Sequence, residues 1–149
     1  MFNILGDIEG GMVLDLFSGS GLMALEALSR GAAFAVSIEA NRRVLHQLQD
    51  IRIQWNLAGC WQLLGGGVHA MLPKLSGRCF DLVFADPPYA KGISEKIPLW
   101  LSEAQISCRR LVIEESAGIA PLWPKGWTAH PPRRYGGTCL HFLEPEEQD

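Results

Sequence analysis

The 149-residue chain has few cysteines, no long apolar run and no surplus of basic charge. Each shortage closes off a class of protein. The four cysteines, Cys60, Cys79, Cys108 and Cys139, lie far apart and form no CxxC pair. Zinc ligation needs clustered ligands, so no metal is expected, and the thiols are expected to be free in a reducing compartment. His46, His69, His130 and His141 also lack metal-ligand spacing. A membrane helix needs about 20 consecutive apolar residues, and the sequence holds no such run. The opening MFNILGDIEGG has neither a basic n-region nor an apolar h-region, so no secretory signal is expected. These shortages predict a cytoplasmic protein with no membrane partner.

The formal net charge is −3. Proteins that grip nucleic acid unaided usually carry a basic excess, because phosphate neutralisation supplies most of the affinity. The total argues mildly against autonomous nucleic-acid binding. It leaves room for a local basic rim, since the bases come in pairs: Arg42-Arg43, Arg109-Arg110 and Arg133-Arg134.

What is present is strand–helix alternation. Hydrophobic residues make up 48% and charged residues 19%, a balance that suits one compact domain with a sizeable core. Strands are predicted at 12-MVLDL-16, 34-FAVSIE-39, 61-WQLLG-65, 80-FDLVFA-85 and 111-LVIEE-115. Helices are predicted over 20–31, closed by Gly31, over 41–57 with Asn41 as cap, and around 94–104 with Pro98 bending or delaying it. Val44, Leu45, Leu48, Ile51 and Trp55 give the second helix an apolar stripe. The tryptophans are expected in the core or in helix packing. Strands at 127–131 and 138–145 flank a turn at 132-PRRYGG-137, which predicts a terminal antiparallel hairpin. The tail EPEEQD is expected to fray. The fold class is therefore α/β, a doubly wound and mostly parallel sheet. In such sheets ligands bind beyond the carboxyl ends of the strands.

After the first strand comes 15-DLFSGSGLMA-24. Its glycines allow a sharp turn and a close backbone approach to a ligand, although a packed strand–helix turn would use them too. The loop satisfies the relaxed dinucleotide pattern GxGxxA. Asp15, four residues before Gly19, suits an ammonium group and would be a poor neighbour for pyrophosphate. No basic residue flanks the glycines. Both facts favour S-adenosylmethionine over NAD. Glu39 ends the second strand, 20 residues beyond Gly19, where a carboxylate can accept hydrogen bonds from ribose hydroxyls.

After the fourth strand comes 86-DPPY-89. The exocyclic amine of a base is a poor nucleophile, because its lone pair is shared with the ring. Asp86 can accept one N–H and the Pro87 carbonyl the other, steering the nitrogen toward a tetrahedral shape. Pro87 and Pro88 lock the local backbone and offer no competing N–H. Tyr89 can stack on the base. Orientation would then be the main catalytic contribution, with Asp86 or water taking the released proton.

Taken together, 13-VLDLFSGSGLMALEALSRGA-32, IEANRR, FDLVFADPPY, EES and RRYGGTCLHFL resemble a class I S-adenosylmethionine-dependent methyltransferase with the [DN]PP[YF] signature. More narrowly, the chain resembles the bacterial 16S rRNA guanine-(2-amino) methyltransferase family, RsmD, nearly end to end. The resemblance implies a single Rossmann-like domain with a seven-stranded sheet whose last strand is antiparallel. It implies a cofactor site built from Asp15, Phe17, Gly19, Ser20, Gly21, Glu39, Ala40, Gly67, Val68 and Asp86. It implies a base site at Asp86, Pro87, Pro88 and Tyr89, with Arg133, Arg134 and Tyr135 at the substrate edge. The implied partner is rRNA in the 30S subunit, with the guanine flipped into the pocket. A monomer is expected.

Two departures from the family accompany the resemblance. Relatives carry a further basic N-terminal segment, and FNIL matches the end of its helix, so much of the RNA-gripping surface is expected to be missing. Relatives usually place an aspartate near the adenine amine, where Gly67 stands here. The rival readings are an adenine or cytosine methyltransferase acting on DNA, a module that binds S-adenosylmethionine without autonomous catalysis and, more distantly, an NAD oxidoreductase.

Overall fold

The computed structural model describes residues 5–147. Phe2, Asn3 and Ile4 of the FNIL match, and the last two residues of the tail, lie outside that range. Five parallel strands form the centre: β1 (Met12–Leu16), β2 (Phe34–Glu39), β3 (Trp61–Gly65), β4 (Cys79–Ala85) and β5 (Ser107–Ser116). The helices are α1 (Leu22–Ser29), α2 (Arg42–Gln54), α3 (Val68–Met71) and α4 (Ile93–Glu103), with a 3-10 turn at Leu72–Leu75. Three strands close the chain: β6 (Trp127–Ala129), β7 (Arg133–Tyr135) and β8 (Thr138–Pro145). The sheet order is β3-β2-β1-β4-β5-β8-β6, and β7 also pairs with β8. β8 runs antiparallel to β5, as the resemblance implies.

Strand alternation divides the core. Leu14, Leu16, Ile38 and Val83 face one side and pack with Leu72, Ile97 and Leu101 from the α3–α4 layer. Val13, Ala35, Leu82 and Val112 face the other and pack with Ala24, Ala27 and Leu48 from α1 and α2. Full burial of each large aliphatic side chain contributes about 1.5–3 kcal/mol. Asn41 caps α2 as expected, accepting from the Arg43 and Val44 amides at 3.0 and 3.1 Å.

Four local differences from expectation have physical reasons. The sheet has an eighth strand because Arg133–Tyr135 pairs with Leu140, Cys139 and Thr138, leaving only Gly136-Gly137 to turn. Helix α4 runs through Pro98, which is buried in its middle. Trp55 ends α2 at 59% exposure and joins no core, whereas Trp61 is fully buried and donates to Ser37 Oγ at 2.9 Å. The tail is held as far as Pro145, since Glu144 pairs with Thr128 and Pro145 with Trp127.

Candidate active site

Register explains how the site assembles. Leu16 pairs with Ile38 and with Ala85, and Ala85 pairs with Ile113. One residue further along each strand come Phe17, Glu39, Asp86 and Glu114. Alternation places Glu39, Asp86 and Glu114 on the α1–α2 face, at the carboxyl edge of the sheet, whereas Phe17, with φ of 59°, packs against the α3–α4 core. Asp15 sits on the α1–α2 face one layer deeper, since it pairs with Ser37 and Phe84. Four acids thus share one edge.

The β1–β2 end is stitched to itself. The Gly19 amide donates to Glu39 Oε1 at 2.7 Å, and the Asn41 amide donates to Oε2 at 2.8 Å. The Ser18 amide donates to the Ile38 carbonyl at 3.0 Å. Ser18 Oγ donates to Asp15 Oδ2 at 2.8 Å. Asp15 is 2% exposed. Burial, with smaller contributions from the charges of Asp86 and Glu39, pushes its carboxyl up to about 7 despite the Ser18 hydroxyl. The turn is tight: Phe17, Gly19 and Gly21 have φ of 59°, 55° and 75°. Phe17 holds a left-handed conformation that side chains other than glycine avoid. Gly21 caps α1 where an added Cβ would lie 2.7 Å from Leu48 Cδ2. That glycine serves helix packing, whereas a Cβ at Gly19 would meet only the Phe17 carbonyl at 3.9 Å.

The β4 end opens outward. Pro87 is buried, while Asp86, Pro88 and Tyr89 are exposed. Partial loss of water and then the Glu114 charge push Asp86 up to about 6. The Tyr89 hydroxyl donates to Glu114 Oε1 at 2.5 Å and lies 3.3 Å from Thr138 Oγ1. Burial and the bond to Glu114 push the phenol up to about 12. Glu115, on the opposite sheet face, is 1% exposed. It accepts from the Ala90 amide at 3.1 Å, Ser94 Oγ at 2.9 Å and the Ser116 amide at 2.6 Å.

A cavity of about 470 Å³ lies between the two ends, a volume suited to a nucleoside cofactor. Phe17, Ile38, Glu39 and Ala40 line one side, Gly67 and Val68 a second, and Asp86 to Tyr89 a third. Among the described residues no lysine or arginine lines it. Apolar walls, the Glu39 carboxylate and further acids suit adenosine carrying a cationic methionyl group and disfavour pyrophosphate. A larger concavity, about 550 Å³, lies at the other end of the strands around Asp81, Arg109 and Glu144. There Arg109 pairs with Asp81 at 3.5 Å, away from the acids of the carboxyl edge.

The sequence-derived residues do not all meet. Phe17, Glu39, Ala40, Gly67, Val68 and the Asp86–Tyr89 run reach the cavity wall. Asp15, Gly19, Ser20 and Gly21 do not line it. Arg133 and Tyr135 share the sheet face of Tyr89's partners, opposite Leu140 and Thr138. Arg133 lies over the Phe142 ring at 6.0 Å. Alternation turns Arg134 to the other face, where its Nε donates to the Gly136 carbonyl at 3.1 Å. Sequence reasoning assigned nothing to Ser18, Glu114, Glu115 or Thr138. The acids were detectable: Glu114 ends an apolar strand run just as Glu39 does. Among the described residues no cluster of His, Cys, Asp and Glu could hold a metal ion.

Residues 1–144 match the family described as conserved hypothetical protein 95. Ribosomal RNA small subunit methyltransferase D of Escherichia coli K12 is 32% identical over 153 residues, covering 99% of this chain and 76% of that protein. The namesake from Buchnera aphidicola of Acyrthosiphon pisum is 30% identical, covering 83% of this chain and 65% of that protein. A conserved hypothetical protein from Streptococcus pyogenes superposes with a TM-score of 0.81 at 33% identity, covering 93% of this chain and 88% of that one. An RNA methyltransferase from Salinibacter ruber, solved with S-adenosylhomocysteine, shares the fold alone, with a TM-score of 0.71 at 19% identity and coverage of 97% and 88%. By the family match and the Escherichia coli relative together, the chain belongs to the conserved hypothetical protein 95 family, that of small-subunit ribosomal RNA methyltransferase D.

Proposed function

We propose that residues 1–149 are one methyltransferase domain that moves a methyl group from S-adenosylmethionine to the exocyclic amine of a nucleobase. The target we assign is guanine in small-subunit ribosomal RNA, met as a 30S particle by a monomer in the cytoplasm. Among the described residues no helix is long and apolar enough to cross a membrane. The observation that carries the reading is the placement of Asp86 and the Pro87-Pro88-Tyr89 run on the wall of an acid-edged cavity that, among the described residues, no lysine or arginine lines.

When bound, S-adenosylmethionine supplies an activated methyl on a sulfonium. Phe17, Ile38, Ala40 and Val68 offer apolar contact to its adenosine, and Glu39 faces the ribose. Asp15 lies where a methionyl ammonium gains charge compensation, across the turn formed by Gly19, Ser20 and Gly21. Gly67 leaves the adenine amine to backbone groups. On the other wall the Asp86 carboxylate accepts one amine N–H and the Pro87 carbonyl accepts the second. That pairing turns the nitrogen lone pair toward the cavity, so orientation lowers the barrier. Tyr89 stacks on the base. Once the nitrogen is positive, Asp86 or water takes its proton. Arg133 and Tyr135 serve the RNA edge, whereas Arg134, turned to the other sheet face and bonded to the Gly136 carbonyl, stands apart from it.

Calorimetric titration with S-adenosylhomocysteine, with NAD as control, tests the first half. Micromolar binding of the former, lost in Glu39→Ala, is expected. Methyl transfer to unmodified 30S subunits tests the second half. Binding without transfer would leave a cofactor-binding module, and binding of neither ligand would overturn the reading.

A further inference from the structure

Tyr89 is held by more than its own loop. Its hydroxyl reaches two other strands: Glu114 on β5, 25 residues away, and Thr138 on β8, 49 residues away. The 2.5 Å distance to Glu114 is that of a charge-assisted O–H···O⁻ bond. The ring is 37% exposed, so the contact fixes the phenol edge and leaves the rest of the ring accessible. The next residue, Ala90, has φ of 57° and is tied by its amide to Glu115. Consecutive acids on β5 therefore grip consecutive residues of the loop from opposite sheet faces. Glu115 holds backbone and Glu114 holds a side chain.

We propose that Glu114 is a positioning residue for base capture: it fixes the Tyr89 ring against the β5–β8 edge so that the ring is preset to stack on the target base. The inference rests on the methyl-transfer reading above. It adds a residue that touches neither cofactor nor base. A fixed ring costs less entropy on binding than a free one, so the effect belongs to substrate affinity. The Glu114 charge acts on Asp86, the charges of Asp86 and Glu39 act on buried Asp15, and among the described residues no lysine or arginine lines the cavity beside them. Removing the Glu114 charge therefore eases ionisation of Asp86.

The test compares Glu114→Ala, which removes acceptor and charge, with Glu114→Gln, which keeps an acceptor. Unchanged binding of S-adenosylhomocysteine shows that both fold. Glu114→Ala is expected to raise KM for 30S subunits about tenfold, the loss of one charged hydrogen bond, with kcat nearly unchanged. Glu114→Gln is expected to raise KM less and to move the acid limb of kcat/KM to lower pH. A second readout is independent of activity. The chain has two tyrosines, so ¹³C labelling at the hydroxyl-bearing ring carbon gives two signals, assigned through Tyr135→Phe. The Tyr89 signal is expected to move toward that of free tyrosine in Glu114→Ala. A wild-type KM in Glu114→Ala, or a Tyr89 signal that does not move, overturns the proposal. A wild-type protein that methylates no 30S subunit overturns the substrate reading instead, and the Tyr89 signal then still decides whether Glu114 holds the ring.

Discussion

The two ends of the acid edge solve opposite problems. At the β1–β2 end each carboxylate is already bonded to the chain. Glu39 takes the Gly19 and Asn41 amides, and Asp15 takes the Ser18 hydroxyl. The turn there is tight, half-buried and strained at Phe17. At the β4–β5–β8 end Asp86 has a free approach from solvent, and its neighbour Tyr89 is oriented by distant strands. In the function proposed above, the first end serves as a rigid socket for a small molecule and the second as an open lip for part of something large. If that division is real, the two ends must fail separately.

The largest expected effect comes from removing the acceptor on the lip. Asp86→Ala should lower kcat/KM about a thousandfold, in the range for loss of a group that handles the reacting proton. Binding of S-adenosylhomocysteine should fall far less, because the Phe17, Glu39, Ala40 and Val68 side of the cavity is untouched. Calorimetry beside a methyl-transfer assay checks both. Loss of the two together would mean that socket and lip are one unit.

The socket should break by folding. Gly21→Ala forces a Cβ to 2.7 Å from Leu48 Cδ2 at a φ of 75°. Overpacking and left-handed strain together predict a loss of about 3 kcal/mol, read by urea unfolding. Gly19→Ala, with φ of 55° but open space, should lose only about 1–2 kcal/mol. Equal losses would show that the loop needs glycine at both positions for the same reason.

The contrast between the ends also explains what was legible in the sequence. β1, β2 and β3 match their expected bounds because each is a short apolar run closed by a turn residue. The candidate residues at this end are local to those strands, so Asp15, Gly19, Gly21 and Glu39 could be proposed from spacing. The helix Val68–Met71 and the 3-10 turn after it were missed, because three glycines before and Pro73 within make that stretch read as loop. The lip depends on contacts across 25 and 49 residues, which no local pattern encodes. Only the register of β4, β5 and β8 brings Glu114 and Thr138 to Tyr89. The division of Arg133 from Arg134 likewise needs β7 to be a strand, and a three-residue strand in a Pro-Arg-Arg-Tyr-Gly-Gly run looks like a turn.

A pH series sharpens the picture of the socket. Asp15 is protonated in both states below about pH 4, the ordinary carboxylate range. Between there and about 7 the unfolded chain releases its proton while the folded chain keeps it, so stability falls as pH rises. Above about 7 both states are ionised and the loss is complete. Asp15→Asn should therefore stabilise the empty protein at pH 8 and not at pH 4. The gain is on the order of 2 kcal/mol, allowing for the weaker hydrogen bond that an amide accepts from Ser18. Thermal unfolding at the two pH values checks it. The same variant should bind S-adenosylhomocysteine less tightly, since the ammonium loses its counter-charge. A stabilising effect independent of pH would place the cause in packing.

The smallest expected effect tests whether the socket is chemically complete. Gly67 lies on the cavity wall with φ of −66° and ψ of 145°, ordinary for any residue. A Cβ there would meet nothing within 4 Å. Gly67→Asp should fold normally and give the adenine amine a carboxylate acceptor that the chain lacks. One such bond is worth at most about tenfold in affinity, and the added charge near Glu39 and Asp15 will take back part of it. The comparison that isolates the bond uses S-adenosylhomocysteine and its deaminated analogue, in which an exocyclic carbonyl oxygen replaces the amine. A gain confined to the adenine form means that the wild-type socket reads its ligand mainly by shape and ribose. An equal gain for both means the new acid acts through the cavity's overall charge, and adenine is already read by the backbone at Gly67 and Val68.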